Sequence, residues 1–330
     1  MKRTVSLLSA ILAMVILTGT VSRAAAEYPE RAVTIINPQS PGGAHDATGR
    51  AFAAVAEKYL GKPMVVVNKS GASTMIGTIA AAQAPADGYT LLLGSSITTT
   101  VVEWEILNGR QPGATRHDFV SIGSLTQMPT VLSVPADSPW KSIADLVKDA
   151  KAKPGFYAFC SSGILTPAHI GSEVFARTYG LNFRHVPYAG GGPCLTAVVG
   201  KHVDFTTQFT ITTIPLAQGN KLRILAVQSD RRLKSIPNVP TFKELGVNLE
   251  NSMWIGLVAP KNTPRPIVEK LQDVTAKVAK DKVFVDAIEK LGDEVRFMNG
   301  PELTQYWNKE SEENAKILRQ LQKDGVKLGE

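Results

Sequence analysis

A repeated junction constrains this chain more than any other feature: a short apolar run, a glycine-bearing loop, then a helical stretch. "AVTIIN" (32–37) leads through "PQSPGG" into a helix over Asp46 to Leu60. "PMVVVN" (63–68) leads through "KSGAST" into the helix "MIGTIAAAQA", and the turn "PADG" introduces the strand "YTLLLG" (89–94). The theme returns downstream. "FYAF" (156–159) is followed by "CSSGILTPAH" and the helix "IGSEVFARTYG". "NFRHVPY" (182–188) is followed by "AGGGP", the helix "CLTAVVG" and the strand "HVDFTTQF"; "LRILAV" and "SMWIGLVAP" are later strands. β-rich runs alternating with helices imply an α/β fold with mostly parallel strands flanked by helices. Two such sets in one chain predict two lobes with a cleft between them, and open α/β sheets bind ligands outside the carboxyl ends of their strands. Ser142, with Asp145 three residues on, reads as a capping box; Thr263 reads as the cap of a helix with Pro264 in its first turn.

The glycine loops lie at those carboxyl ends. A loop entering a helix presents unpaired backbone N–H groups, to which the helix dipole adds positive potential, so the junction attracts an anion. Glycine removes the Cβ that would hold an oxyanion away. Four loops fit: Pro41-Gly42-Gly43-Ala44, Ser70 to Thr74, Ser161-Ser162-Gly163 and Gly190-Gly191-Gly192, with hydroxyls at Ser95, Ser96, Thr98 and Thr166. Any one of them is ordinary turn chemistry; their recurrence in both halves is the signal. None is a GxGxxG or a GxxxxGK[ST], which argues against dinucleotides and nucleoside triphosphates. Lys69 is the only basic residue among them, so a carboxylate held there rests on backbone N–H groups, hydroxyls and water. That suits a receptor that must release its ligand, because a buried salt bridge costs desolvation.

The first 26 residues have a basic start, an apolar run and small residues at Ala24 to Ala26, which is the pattern of a signal peptide cleaved before Glu27. A soluble, exported chain of 27–330 is expected, located in the periplasm, with no lipid-bearing cysteine at its start. The whole sequence carries +7; without Lys2, Arg3 and Arg23, 33 basic residues face 29 acidic ones, a net +4. These charges are scattered, with no basic block interleaved with aromatics, so nucleic acid is not an expected partner. Cys160 and Cys194 are the only cysteines. In an exported chain they can pair; two buried free thiols are the alternative. The five histidines show no HxH or HExxH spacing, so neither a metal nor any other cofactor is expected. Ser161 or Ser162 with His169 or His185 and Asp204 supply the residue types of a hydrolytic triad, but no GxSxG elbow is present.

The ordered set "YPERAVTIINPQSPGGAHDATGR", "PMVVVNKSGASTMIG", "APADGYTLLLGSS", "FYAFCSSG", "HVPYAGGGPCLTAVVGKHVDF", "LRILAVQSDRR", "NVPTFKELG" and "MWIGLVAPKNTPRPIVEKL" resembles the Bug (TctC) family, the extracytoplasmic solute-binding receptors of tripartite tricarboxylate transporters. The resemblance spans essentially the whole chain after residue 26. It implies a two-lobe periplasmic binding-protein fold of the type II, Venus-flytrap kind, a small organic acid as ligand, integral membrane transporter subunits as partners, a monomeric receptor and no catalysis. A receptor feeding a sensor kinase would look the same. Lobe 1 is expected over 27–127 with 252–330, and lobe 2 over 128–251. By motif, Pro41, Gly42, Gly43, Ala44 and Asp46 form the first clamp, with Asn68, Ser73, Thr74, Ser95 and Ser96 lining the same lobe. Ser161, Ser162, Gly163, Thr166 and His169 form the second clamp; Tyr188, Gly190, Gly191 and Gly192 form a third wall, and Asp204 matches the family's "GxxVD" aspartate. Departures from the family's pattern are Leu165 where a small residue is common, Thr206, Thr207 and Gln208 where apolar residues are common, and His45, which sets a titrating group beside the first clamp.

Overall fold

A computed structural model describes residues 28–188, 190–291 and 293–325. The expected signal peptide lies outside them. In chain order the elements are β1 (Val33–Asn37), α1 (Ala44–Leu60), β2 (Met64–Asn68), α2 (Met75–Ala82), β3 (Thr90–Ser95), α3 (Ser96–Leu107) and β4 (Phe119–Pro135). Then come α4 (Ile143–Ala152), β5 (Ala158–Ser161), α5 (Pro167–Thr178), β6 (Arg184–Pro187), α6 (Gly191–Val199), β7 (Phe205–Phe209), α7 (Thr210–Gln218) and β8 (Leu222–Val227). The chain closes with β9 (Ser252–Pro260), α8 (Arg265–Val278), α9 (Lys282–Lys290) and α10 (Gly300–Lys323). Among the described residues, no helix is long and apolar enough to cross a membrane.

The strands run in the order β2-β1-β3-β9-β4-β7-β5-β6, with β8 also paired to β4. The outer pairs β1–β2, β1–β3, β5–β6 and β5–β7 are parallel, as the βα repeats require. The central strands reverse direction: β9 is antiparallel to β3 and β4, and β4 is antiparallel to β7 and β8. β4 joins the halves. Phe119 to Pro129 pair with β9, whereas Thr130 to Pro135 pair with β7 on one side and β8 on the other. Register shifts at Ser121/Gly123 and Ser124/Thr126 bend it on the way.

The crossing is fastened by polar groups. Thr130 N–H donates to Asn251 O, Asn251 N–H to Gln228 O, and Gln228 N–H to Thr130 O, each at 2.9 Å. The Asn251 side chain donates to Thr130 Oγ1 at 2.9 Å and to Pro167 O, at the start of α5, at 2.8 Å.

Each half has a core on both sheet faces. In the first, Val33, Ile35, Phe52, Leu91, Leu93 and Phe284 pack on one face, and Leu92, Trp254, Leu303 and Trp307 on the other. In the second, Leu132, Trp140, Phe159, Phe175, Phe205 and Phe242 pack on one face, and Cys160, Cys194, Leu195 and Val198 on the other. A smaller cluster joins Leu318 and Leu321 of α10 to Leu165 and Ile170, so the last helix reaches across to the second half.

The capping box at Ser142 forms, with Ser142 Oγ accepting from Asp145 N–H and Asp145 accepting in return. The Thr263 cap does not: α8 starts at Arg265 with Pro264 in the cap position, and Thr263 Oγ1 donates to Pro260 O instead. Pro264 has extended backbone, with ψ 137°, and its carbonyl accepts from Val268 N–H at 3.1 Å, so it takes the cap position and the helix starts one residue later than the hydroxyl signals.

Candidate ligand-binding cleft

A cleft of about 750 Å3 lies between the two halves, within the size range of small-molecule sites. Six helices begin at its wall. Gly42, Gly43, Ala44 and His45 bring the start of α1, Ser73 and Thr74 that of α2, and Ile97 that of α3; Thr166 brings α5, Gly190 to Gly192 bring α6, and Phe209, Ile211 and Thr212 bring α7. Among the described residues, no Asp, Glu, Lys or Arg lines it. The wall therefore combines N-terminal helix potential with backbone N–H groups, a few hydroxyls and apolar surface from Ile97, Val101, Ile164, Phe209 and Met253. Such a wall can hold an oxyanion without a formal counter-charge, and the apolar patches suit a short carbon chain.

The loops that build this wall are backbone-strained. Ala72, Ser73 and Thr74 have φ of 43°, 48° and 87°, and Leu165 has 62°. These are left-handed values that side-chain-bearing residues avoid, Thr most of all because of its branched Cβ. Such residues persist only where their surroundings hold them. Thr74 Oγ1 is 2.9 Å from Thr98 Oγ1, and Leu165 N–H donates to His169 Nδ1 at 3.2 Å.

Of the residues singled out in sequence, Pro41 to Ala44, Ser73, Thr74, Ser162, Gly163, Thr166 and Gly190 to Gly192 line the cleft together. Ser70, Gly71 and His45 line it too, whereas Asp46, Asn68, Ser95, Ser96, Ser161, His169, Tyr188 and Asp204 lie outside that lining. α1 starts at Ala44, two residues before the expected Asp46, so Asp46 falls inside the first turn. Its buried carboxylate reaches back to accept from Gly42 N–H at 3.0 Å, and also from Arg50 Nε at 3.0 Å and Asn68 Nδ2 at 2.9 Å. Burial opposes its ionisation, but these three donors outweigh it and hold the carboxyl well below the usual range. Asn68 bridges the same group to Gln39 O at 3.0 Å. Together they fix the shape of the Pro41-Gly42-Gly43 loop.

Ser96 Oγ accepts from Trp254 N–H at 3.2 Å, and Ser95 is fully buried at the head of α3. Ser161 is also fully buried; its Oγ donates to Gly163 O at 2.9 Å and lies 2.7 Å from His185 Nε2. His169 and His185 stack with ring centroids 4.0 Å apart. Burial, helped by His169, pushes the His185 pKa down to about 3. Asp204 accepts from Ala158 N–H at 2.7 Å, so it belongs to a different hydrogen-bond system from Ser161 and His185. Tyr188 is half-buried against the cluster that contains Cys160, and its N–H donates to Ser161 O at 3.0 Å.

Cys160 and Cys194 form a disulfide. The bond ties the end of β5, immediately before Ser161-Ser162-Gly163, to the first turn of α6, one residue beyond Gly190 to Gly192. Two walls of the cleft are thus covalently joined.

Sequence reading did not assign Gln208, the start of α7 or the apolar lining to the site. The signal for α7 was available: Phe209 ends a strand and Thr210 opens a helix, the same junction as the glycine loops but without glycine. The titrating role expected of His45 is not what burial gives. The ring is 2 % exposed, and desolvation pushes its pKa down to about 3 against the attraction of Asp46, so it is neutral near pH 7.

Comparison with known proteins gives one family. The description "Tripartite tricarboxylate transporter family receptor" matches residues 49–323. Protein BugT of Bordetella pertussis is 33% identical over 261 residues, covering 79% of this chain and 80% of BugT. A Rhodopseudomonas palustris protein solved with adipate superposes with a TM-score of 0.79 at 27% identity, covering 89% of this chain and 98% of that one. MatC from the same organism, solved with bound malate, gives 0.76 at 25% identity, covering 88% and 99%.

Proposed function

The chain belongs to the tripartite tricarboxylate transporter receptor family, and from that premise we propose that it captures a small organic acid in the cleft between its halves and presents it to integral membrane transporter subunits. One observation carries the reading: six helices start at a wall to which, among the described residues, no charged side chain contributes. An uncharged site of oriented N–H groups binds a carboxylate with moderate strength and lets it go, as transport requires. The related structures with adipate and malate support a carboxylate ligand.

In this reading Gly43 and Ala44 hold the acid from one lobe, beside Gly42, whose own N–H is given to Asp46, and Ser162, Gly163, Thr166 and Gly190 to Gly192 hold it from the other, while Asp46, Asn68, Ser161 and His169 shape those loops. The lobes comprise 27–127 with 252–330, and 128–251. Closure is a hinge motion at β4 and β9 that shifts an open–closed equilibrium when ligand binds. No chemical step is needed. The signal peptide, the periplasmic location and a monomeric state follow from the same reading.

A thermal-shift screen of residues 27–330 against C3 to C8 mono-, di- and tricarboxylates and aromatic acids, confirmed by calorimetry, tests it. A ligand that binds only the folded protein raises Tm by mass action. The Gly43→Val protein should fold, because a Cβ there meets nothing closer than Ser40 O at 3.9 Å, yet lose the response. A folded Gly43→Val protein with unchanged affinity, or no hit across the panel, overturns the assignment.

A further inference from the structure

The cleft is not the whole of the gap between the halves. A second groove of about 550 Å3 adjoins it, and Ser73, Val101 and Ile164 stand in the walls of both. Three segments each continue from one wall to the other. On α3, Ile97 lines the cleft, Val101 lines both and Trp104 lines the groove. Their spacing of four and then three residues puts them in one stripe on one helix face. At a rise of about 1.5 Å per residue, Trp104 stands about 10 Å along the axis from Ile97. Beside α3, Ser73 lines both, and Met75 and Ile79 of α2 carry the groove onward. From the other half, Gly163 lines the cleft, Ile164 both, and Leu165 the groove.

The chemistry of the wall changes along this path. At the cleft end, helix starts and backbone N–H groups suit an oxyanion. In the groove the lining turns apolar, with Met75, Ile79, Trp104, Ile164 and Leu165. Trp104 is half-buried and packs against the cluster that contains Leu165. The charged residues that line the groove, Glu105 and Arg110, are engaged with each other: Arg110 Nε and Nη2 donate to the two Glu105 carboxylate oxygens at 2.6 and 2.9 Å. A guanidinium held by two such bonds is not a free anchor for a second carboxylate. Leu165 keeps its side chain at a left-handed φ of 62°, a position that glycine would take at less cost.

We propose that this groove is a tail subsite, and that the ligand is an acid with one carboxylate at the glycine loops and an extended apolar body that reaches Trp104. The inference rests on the carboxylate reading above. A short diacid fills only the cleft end. A longer diacid sets its second carboxylate against apolar wall, where a charge is costly. An alkyl chain, or an aryl ring on a short chain, instead buries apolar surface on Met75, Ile79 and Trp104. Each methylene buried this way adds about fourfold to affinity.

Calorimetry on residues 27–330 with butyrate, hexanoate and octanoate, with 3-phenylpropionate, and with the diacids succinate and suberate tests this. Affinity should rise by about fourfold per methylene from butyrate to octanoate, and 3-phenylpropionate should fall with the longer chains. Suberate, with the carbon count of octanoate and a second carboxylate, should bind roughly tenfold or more weakly than octanoate. Trp104→Ala should cut octanoate affinity by about tenfold. Ile79→Gln, a milder change on the same wall, should cut it by about fourfold. Both should leave butyrate within about twofold of the parent, which also shows that the variant is folded. Equal affinities for butyrate and octanoate, suberate as tight as octanoate, or octanoate affinity that survives both substitutions overturns the inference and leaves the carboxylate reading intact. Binding of succinate alone does the same. If none of the monoacids or diacids binds, the carboxylate reading falls and this one falls with it.

Discussion

The helices that begin at the cleft and most of those that begin elsewhere are finished differently. Away from the cleft, α4, α9 and α10 each have a side-chain cap, α8 with Pro264 at its cap position being the exception: Ser142 accepts from Asp145 N–H at 3.2 Å, Asp281 from Val283 N–H at 2.8 Å, and Asn299 from Glu302 N–H at 3.0 Å. At the cleft, α1, α2, α3, α6 and α7 have no side-chain cap bond, and only α5 has one, from Thr166. A cap is worth about 1 kcal/mol, so the chain forgoes stability where it leaves N–H groups free for an anion. Other devices hold these helix starts in place. Asp46 reaches back to Gly42, the Thr74–Thr98 hydroxyl pair steadies α2, and the disulfide anchors α6.

If the disulfide stands in for a cap on α6, removing it is the severest way to test the contrast. Closing a loop of 34 residues constrains the unfolded chain by about 4 kcal/mol in the chain-entropy treatment. The Cys160→Ala, Cys194→Ala protein should therefore lose about that much in denaturant unfolding. An unchanged midpoint would mean that packing alone secures the start of α6.

Adding the missing cap to α1 is the next test. Gly43 has extended backbone, φ −82° and ψ 174°, which is the conformation of an N-cap residue. Gly43→Asp should fold with a Tm no lower than the parent, since aspartate is a good N-cap. It also sets a carboxylate where the ligand's would sit, so affinity for the acid identified in the screen should drop about a hundredfold, or about 2.7 kcal/mol. Retained binding would show that the start of α1 is not the anion's seat.

A smaller effect separates the neutral imidazole at the cleft from the surface. His45 titrates near 3 when folded against 6.5 in its ordinary state. The fold favours the neutral ring, so this contribution to stability is complete above pH 6.5 and is lost as pH falls toward 3. By pH 5 the loss amounts to about 2 kcal/mol. In unfolding curves from pH 7 to 5, His45→Asn should lose less stability than the parent, the remaining dependence coming from His185, whose pKa is likewise pushed down, and, with opposite sign, from Asp293 and Glu310, whose pKa values burial raises; equal slopes in both proteins would place the acid sensitivity elsewhere. The mildest change lies on the capped side. Ser142→Ala should cost about 1 kcal/mol of stability and leave ligand affinity within error, whereas a change in affinity would couple α4 to the cleft.

The recurring strand–glycine–helix junction was enough to read the α/β class, the two lobes and the loops that line the cleft, because short-range backbone chemistry dictates them. β8 and β9 match their apolar runs residue for residue, and the Ser142 capping box forms as its spacing requires. β4 was not legible. "FVSIGSLTQMPTVLSVP" includes a glycine, two prolines and several hydroxyls, has no period of two, and is nearly all buried. Its length, and the reversed direction of β9 beside it, are set by partners more than a hundred residues away. The same limit governs the site. Beside a glycine loop, Asp46, Asn68, Ser161 and Asp204 are as plausible in sequence as His45 and Gln208, since each is a polar residue at a βα junction. Sequence alone determined where the backbone opens toward a ligand, because glycine acts within a few residues. Which side chains face the cleft and which brace it from behind was decided by tertiary structure. A side chain's direction depends on where its helix starts and what packs behind it, and α1 starts two residues earlier than its sequence suggests.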